Sequence, residues 1–129
     1  MADWDDVRRL ALALPETAEK ASYGGATGWT VKGKGFVWER PLRRADLAAL
    51  DIPAQEGSVL GAMVPDLGAK EALLSTDPDV YFTTPHFDGY AIVLVRLDRI
   101  DPAELEELVA EAWLARAPKR LAATFQAAR

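Results

Sequence analysis

Apolar positions recur along this chain at two spacings, and each switch between them marks a new element. Trp4, Val7, Leu10, Ala11 and Leu14 fall three or four residues apart. That spacing predicts an amphipathic helix, capped by Asp3 with Asp6 at its third position and stopped by Pro15. The chain is expected to make another turn over residues 16–20, and Ser22, Tyr23, Gly24 and Gly25 then break the pattern. Residues 27–32 and 35–40 alternate instead, and read as a hairpin closing across Lys32, Gly33, Lys34 and Gly35. Trp29 and Val31 stand against Phe36 and Trp38 in that hairpin. Both tryptophans read as core anchors rather than ligand-stacking groups.

Pro41 ends the second strand, and Leu47 with Leu50 suggests a short helix over residues 43–50. A third strand is expected at residues 58–64, followed by a helix from Asp66 or Leu67 to Leu74 and a turn at Asp77, Pro78 and Asp79. After a short strand at 80–83, the loop holding Pro85, His86, Phe87, Asp88, Gly89 and Tyr90 feeds Ile92, Val93, Leu94 and Val95. That run is too apolar for a half-exposed edge and reads as a central strand within residues 90–97. Asp101 as cap, Pro102 in the first helical position and Glu104 in the third form a capping-box signature. Leu105, Leu108, Val109, Ala112 and Trp113 continue it as one apolar stripe, with Glu104, Glu106, Glu107 and Glu111 on a solvated face. Ala117 and Pro118 break this helix, and residues 119–128 resume as a terminal helix with Leu121, Ala122 and Phe125 inward. The order predicts a single α+β domain over residues 1–129: a two-layer sandwich, its antiparallel β-sheet packed on one face by N- and C-terminal helices.

Composition narrows the functional classes. A chain of 129 residues supports one core. No apolar run approaches the roughly 20 residues that cross a bilayer, and the amino terminus is acidic, so a cytoplasmic protein with no membrane partner is expected. The absence of cysteine excludes disulfides, thiolate catalysis and Cys-ligated metal centres. A net charge of -5 argues against gross attraction to nucleic acid, but its distribution changes the picture. Residues 32–44 carry Lys32, Lys34, Arg40, Arg43 and Arg44 against Glu39 alone, a net of +4. Residues 116–129 carry four basic residues and no acid, while residues 98–111 carry six acids against Arg99. A basic hairpin beside a basic terminal helix, which includes Lys119 and Arg120, is one way for an acidic protein to hold phosphates.

His86 is the one histidine, and Asp88 two positions on gives it the look of half a metal site. A usable site needs three or four ligands, so no metal and no cofactor is expected. No serine or threonine stands in a nucleophile-elbow setting, and the glycines have neither P-loop nor dinucleotide-binding spacing. Asp3, Asp5, Asp6, Glu16 and Glu19 could form a partial carboxylate ridge for a hard cation, yet helix capping already accounts for three of them. A ligand pocket formed by Tyr23, Lys34, His86 and Tyr90 requires a concavity where those groups converge.

Leu14, Pro15 and Glu16 after an amphipathic helix, Lys34 and Phe36 in the hairpin, and residues 81–118 together resemble the MmcQ/YjbR family. The last stretch carries TTPHFDGYAIVLVRL followed by EL, EAW and AP. The resemblance covers most of the chain and is strongest from Tyr81 onward. It implies a compact α+β domain with a frataxin-like (CyaY-like) or secretion-chaperone-like sheet. Members are commonly labelled DNA-binding, although no matched position is a recognisable base-reading or catalytic residue.

Three functions follow as expectations. The first is a non-enzymatic domain that contacts DNA weakly and without sequence preference through Lys32, Lys34, Arg40, Arg43, Arg44, Lys119 and Arg120. The second is a protein-interaction or chaperone-like module using a sheet face, as a homodimer or with another protein. The third is an enzyme or small-ligand binder at the His86 pocket.

Overall fold

In the computed structural model, which describes residues 2–21 and 25–128, six strands form one antiparallel sheet. They are β1 (Thr17–Ala21), β2 (Thr27–Val31), β3 (Lys34–Glu39), β4 (Val59–Met63), β5 (Tyr81–Phe82) and β6 (Ile92–Arg96), in spatial order β1-β2-β3-β4-β6-β5. Helices α1 (Trp4–Leu12), α2 (Arg44–Leu50), α3 (Leu67–Thr76), α4 (Pro102–Arg116) and α5 (Lys119–Ala128) complete the α+β fold. Asp3 and Asp6 make a reciprocal capping box that starts α1. β6 lies between β4 and β5 with Val93, Leu94 and Val95 fully buried, as its unbroken apolar run requires.

The main core lies between the sheet and the helices on its inner face. Val7 and Ala11 of α1, with Leu105, Val109, Ala112 and Trp113 of α4, meet Trp29, Val31, Phe36, Val37, Leu60, Ala62, Val93 and Val95. Leu121 and Phe125 of α5 pack at its margin, Phe125 at 4.8 Å from the Trp113 ring. The outer face is also covered at one end. There α2 and the 3-10 turn Pro85–Phe87, which contributes Phe87, close over Val59, Phe82 and Leu94, and no described residue covers the β1-β2-β3 end of that face.

Four local expectations give way. Residues 17–21 form an edge strand, not a further turn. Glu16 takes a positive φ of 59°, which ends helical continuation, and its carbonyl accepts the Lys32 N–H at 3.2 Å. The strand is almost wholly exposed, so it carries no apolar alternation to announce it. The hairpin turns on Lys32 and Gly33 alone, with φ of 50° and 83°, the two positive values of a type I′ turn. A register shift between Trp29 and Thr30 then places both Phe36 and Val37 inside and turns Trp38 to the outer face, so Trp38 is not a core anchor. Finally, Asp101 accepts from Ala103 N at 3.1 Å, while Glu104 accepts the Tyr81 hydroxyl at 3.0 Å instead of reaching back along its own helix.

Candidate nucleic-acid interface

The basic residues expected to contact phosphates fall into three places. At the first, Lys32 and Lys34 flank the hairpin turn. Arg116, in the last turn of α4, donates Nε to the Gly35 carbonyl at 3.3 Å. That bond joins the α4–α5 corner to the hairpin, and Lys119 and Arg120 open α5 three residues later. Lys34, Lys119 and Arg120 are exposed and take part in no ion pair among the described residues. Lys32 pairs with Glu16 at 3.6 Å, but both side chains are more than half exposed. Such a pair contributes at most about 1 kcal/mol and opens readily. Lys119 and Arg120 also sit at the amino-terminal end of their helix, where its dipole disfavours positive charge. Helix stabilisation therefore does not account for them.

Arg43 and Arg44 form the second place. They are exposed at the start of α2, beyond the far end of β3, roughly 16 Å from Lys34 along a six-residue strand.

Arg40 is the third and is corrected outright: it is 7% exposed and committed inside the protein. Its Nη2 lies 3.0 Å from Asp46 Oδ2, its Nη1 donates to the Pro41 carbonyl, and its guanidinium stands 5.2 Å from the Phe87 ring centre. Burial works against the Asp46 carboxylate, but the Arg43 N–H, the Arg40 charge and hydrogen bonding outweigh it and hold the pKa below the ordinary 3.8. The buried Thr84 hydroxyl stands near the same carboxylate without strict hydrogen-bond geometry to any described group.

Among the described residues, the pocket expected around His86 is not brought together. Tyr23 lies outside the described residues. Lys34 is at the hairpin tip on β3, and His86 and Tyr90 are on the exposed loop that leads into β6, with β4 between the two strands. Four grooves, between α3 and α4, between α1, α4 and α5, beside α2, and on β1–β3, are lined by none of Lys34, His86 and Tyr90. The His86 ring packs edge-on against Phe87 at 4.9 Å.

What the structure does bring to this loop is Lys70, a residue sequence reasoning passed over. It is 5% exposed, and its Nζ donates to the carbonyls of Phe87 at 2.8 Å and Tyr90 at 3.0 Å. With Arg40 against Phe87, two buried cations fix residues 87–90 from below while Tyr90 stays 61% exposed. The signal was present: Lys70 falls three residues after Leu67 and four before Leu74, on the apolar stripe of α3.

Between α3 and α4 lies a groove of about 350 Å³ with an apolar floor of Val64, Ala69 and Leu73. Glu104, Glu107 and Glu111 edge it, and the Tyr81 hydroxyl below is driven to a higher pKa by burial and by its bond to Glu104.

Comparison with known proteins places this architecture. The YjbR family profile matches residues 12–115. The chain belongs to the YjbR family. Uncharacterised proteins Rv2570 of Mycobacterium tuberculosis and Mb2600 of Mycobacterium bovis are each 51% identical to this YjbR chain over 130 residues, covering 98% of both sequences. The crystal structure of Deinococcus radiodurans protein DR2400, which carries a DUF419 domain, superposes with a TM-score of 0.67 at 22% identity. It covers 88% of this chain and 78% of its own, and so supports the fold. Among the described residues no helix is long and apolar enough to cross a membrane.

Proposed function

We propose that this YjbR domain is a non-enzymatic nucleic-acid-binding protein that holds backbone phosphates, weakly and without reading sequence, at the corner where the β2–β3 hairpin meets α4 and α5. The observation that carries the reading is the Arg116–Gly35 bond: it ties the end of α4, which Lys119 and Arg120 follow, to the strand that Lys34 opens, and no carboxylate pairs with any of the three among the described residues. Arg40 is excluded from the contact set by burial, and Arg43 and Arg44 form a separate patch. Phosphate contacts of this kind position a protein on nucleic acid and carry no base information.

Fluorescence anisotropy of a labelled random duplex, titrated at several salt concentrations, tests it. The expected result is affinity that falls log-linearly with salt, with a slope near -0.9 for each phosphate neutralised. Lys34→Glu with Lys119→Glu should abolish binding, whereas Arg43→Glu with Arg44→Glu should leave most of it. No binding at low salt, or equal loss from both pairs, defeats the corner assignment.

The clamped loop favours a second reading, a protein-interaction module. Lys70 and Arg40 hold residues 87–90 in place while Tyr90 and His86 face outward, an arrangement suited to docking a partner without ordering entropy. Capture of a defined partner that Tyr90→Ala abolishes, with the basic corner irrelevant, would favour that reading.

A further inference from the structure

One row of residues runs in register across all six strands on the outer face: Lys20, Gly28, Trp38, Gly61, Leu94 and Phe82. Its Leu94–Phe82 end is covered by α2 and the 3-10 turn, and its Lys20–Trp38 end is left uncovered by the described residues. Two glycines flank Trp38, and they make room for the indole to lie across the sheet. A Cβ on Gly61 would stand 2.4 Å from the Trp38 Cε2 and Nε1, and one on Gly28 would stand 3.4 Å from its Cβ. The other three tryptophans donate their indole N–H to Ser58, Glu19 and the Pro15 carbonyl. No acceptor stands opposite that of Trp38 among the described residues. Trp38 is partly exposed and belongs to neither apolar cluster.

The indole instead lines a shallow groove of about 240 Å³ with Lys20, Gly28, Thr30 and Gly35. That is below the roughly 300–1,000 Å³ of sites that engulf a small molecule, so the groove supports a planar group rather than enclosing one. Its one cation, Lys20, takes part in no ion pair among the described residues. Glu39, its carboxylate, is turned to the Thr27 N–H at 3.3 Å. Gly35 lies on the groove's lining and also accepts Arg116 of the basic corner, so ledge and corner are continuous.

From this juxtaposition we propose that the open β1–β3 face binds single-stranded nucleic acid, one base stacking on Trp38 with its flanking phosphates on Lys20 and the hairpin lysines. The inference rests on the phosphate-binding reading of the corner and adds the substrate class. A duplex keeps its base faces inside the stack and presents none to Trp38, whereas a single strand offers one at every nucleotide.

The test compares labelled oligothymidylate with a duplex of equal length, following anisotropy and tryptophan emission together. The single strand should bind more tightly and quench tryptophan fluorescence. Trp38→Leu should remove the quenching and weaken single-strand binding about tenfold, with duplex affinity and salt slope unchanged. Lys20→Glu, an exposed edge-strand change with little bearing on folding, should weaken single-strand binding and keep some quenching. Equal affinity for the two forms, with Trp38→Leu silent, overturns the stacking ledge and leaves the basic corner standing. Absence of binding to either form at low salt defeats both.

Discussion

Asp46 and Arg40 show how two charged residues of the basic segment come to serve the fold. Both are more than nine-tenths buried, each is the other's counter-ion at 3.0 Å, and Phe87 lies over the guanidinium. Removing one partner strands the other charge in the interior, which costs about 3–5 kcal/mol against a total stability of roughly 5–15 kcal/mol. Asp46→Ala should therefore lower the urea midpoint sharply at neutral pH. The Asp46 pKa is depressed in the folded state below 3.8, so its contribution is present above that value and is lost as pH falls through the folded pKa. The stability gap between wild type and Asp46→Ala should hold constant from pH 5 to 8, as an order-of-magnitude window, and narrow below about pH 4. A gap that stays constant into acid would refute a folded-state carboxylate held by Arg40. Sequence reasoning counted Arg40 among the phosphate contacts because a residue's charge is visible in a sequence and its burial beside a partner six positions away is not.

At the scale of elements, the strongly patterned ones were legible and the weakly patterned ones were not. The α1 box, the α4 stripe and the β6 run each combine a periodic apolar signal with a cap or a turn, and all appear at the expected positions. β1 is polar and edge-lying, so only its pairing with β2 defines it. The shift at Trp29 that sends Trp38 outward adds one residue to a strand and leaves composition untouched, which hides it from any reading of alternation. The candidate site divides similarly: charge alone marks the hairpin and α5 lysines, whereas the burial of Lys70 is marked only by its place on the apolar stripe of α3, against the usual exposure of a lysine. Lys70 couples α3 to the 87–90 loop through two carbonyls. Lys70→Met keeps the bulk and leaves the Tyr90 carbonyl without its donor, while the Phe87 carbonyl keeps the Tyr90 N–H at 3.1 Å, a loss of about 1–3 kcal/mol. Hydrogen exchange should accelerate around residues 87–90 in this variant while the β2–β3 hairpin stays protected. Uniform acceleration across the sheet would mean that Lys70 supports the whole fold rather than the loop.

For the whole molecule, the arrangement of charge matters more than its sum of -5. α4 runs from an acidic first half, with Glu104, Glu106 and Glu107, to Arg116 at the basic corner. At 1.5 Å per residue, Glu106 and Glu107 stand about 14 Å from Arg116 along the helix axis. That exceeds the screening length of about 8 Å at physiological ionic strength but falls inside the roughly 30 Å that applies at 0.01 M salt. The acidic half therefore repels a polyanion at low salt and is largely invisible to it at physiological salt. Glu106→Gln with Glu107→Gln, two exposed positions, should raise nucleic-acid affinity at about 0.01 M salt and change it little at 0.15 M. Wild type should accordingly show a flatter salt dependence at the dilute end than the double variant, because its own carboxylates counteract part of the gain from weaker screening. An affinity increase that persists at 0.15 M would place the bound strand along α4 itself, and would move the contact surface away from the hairpin corner.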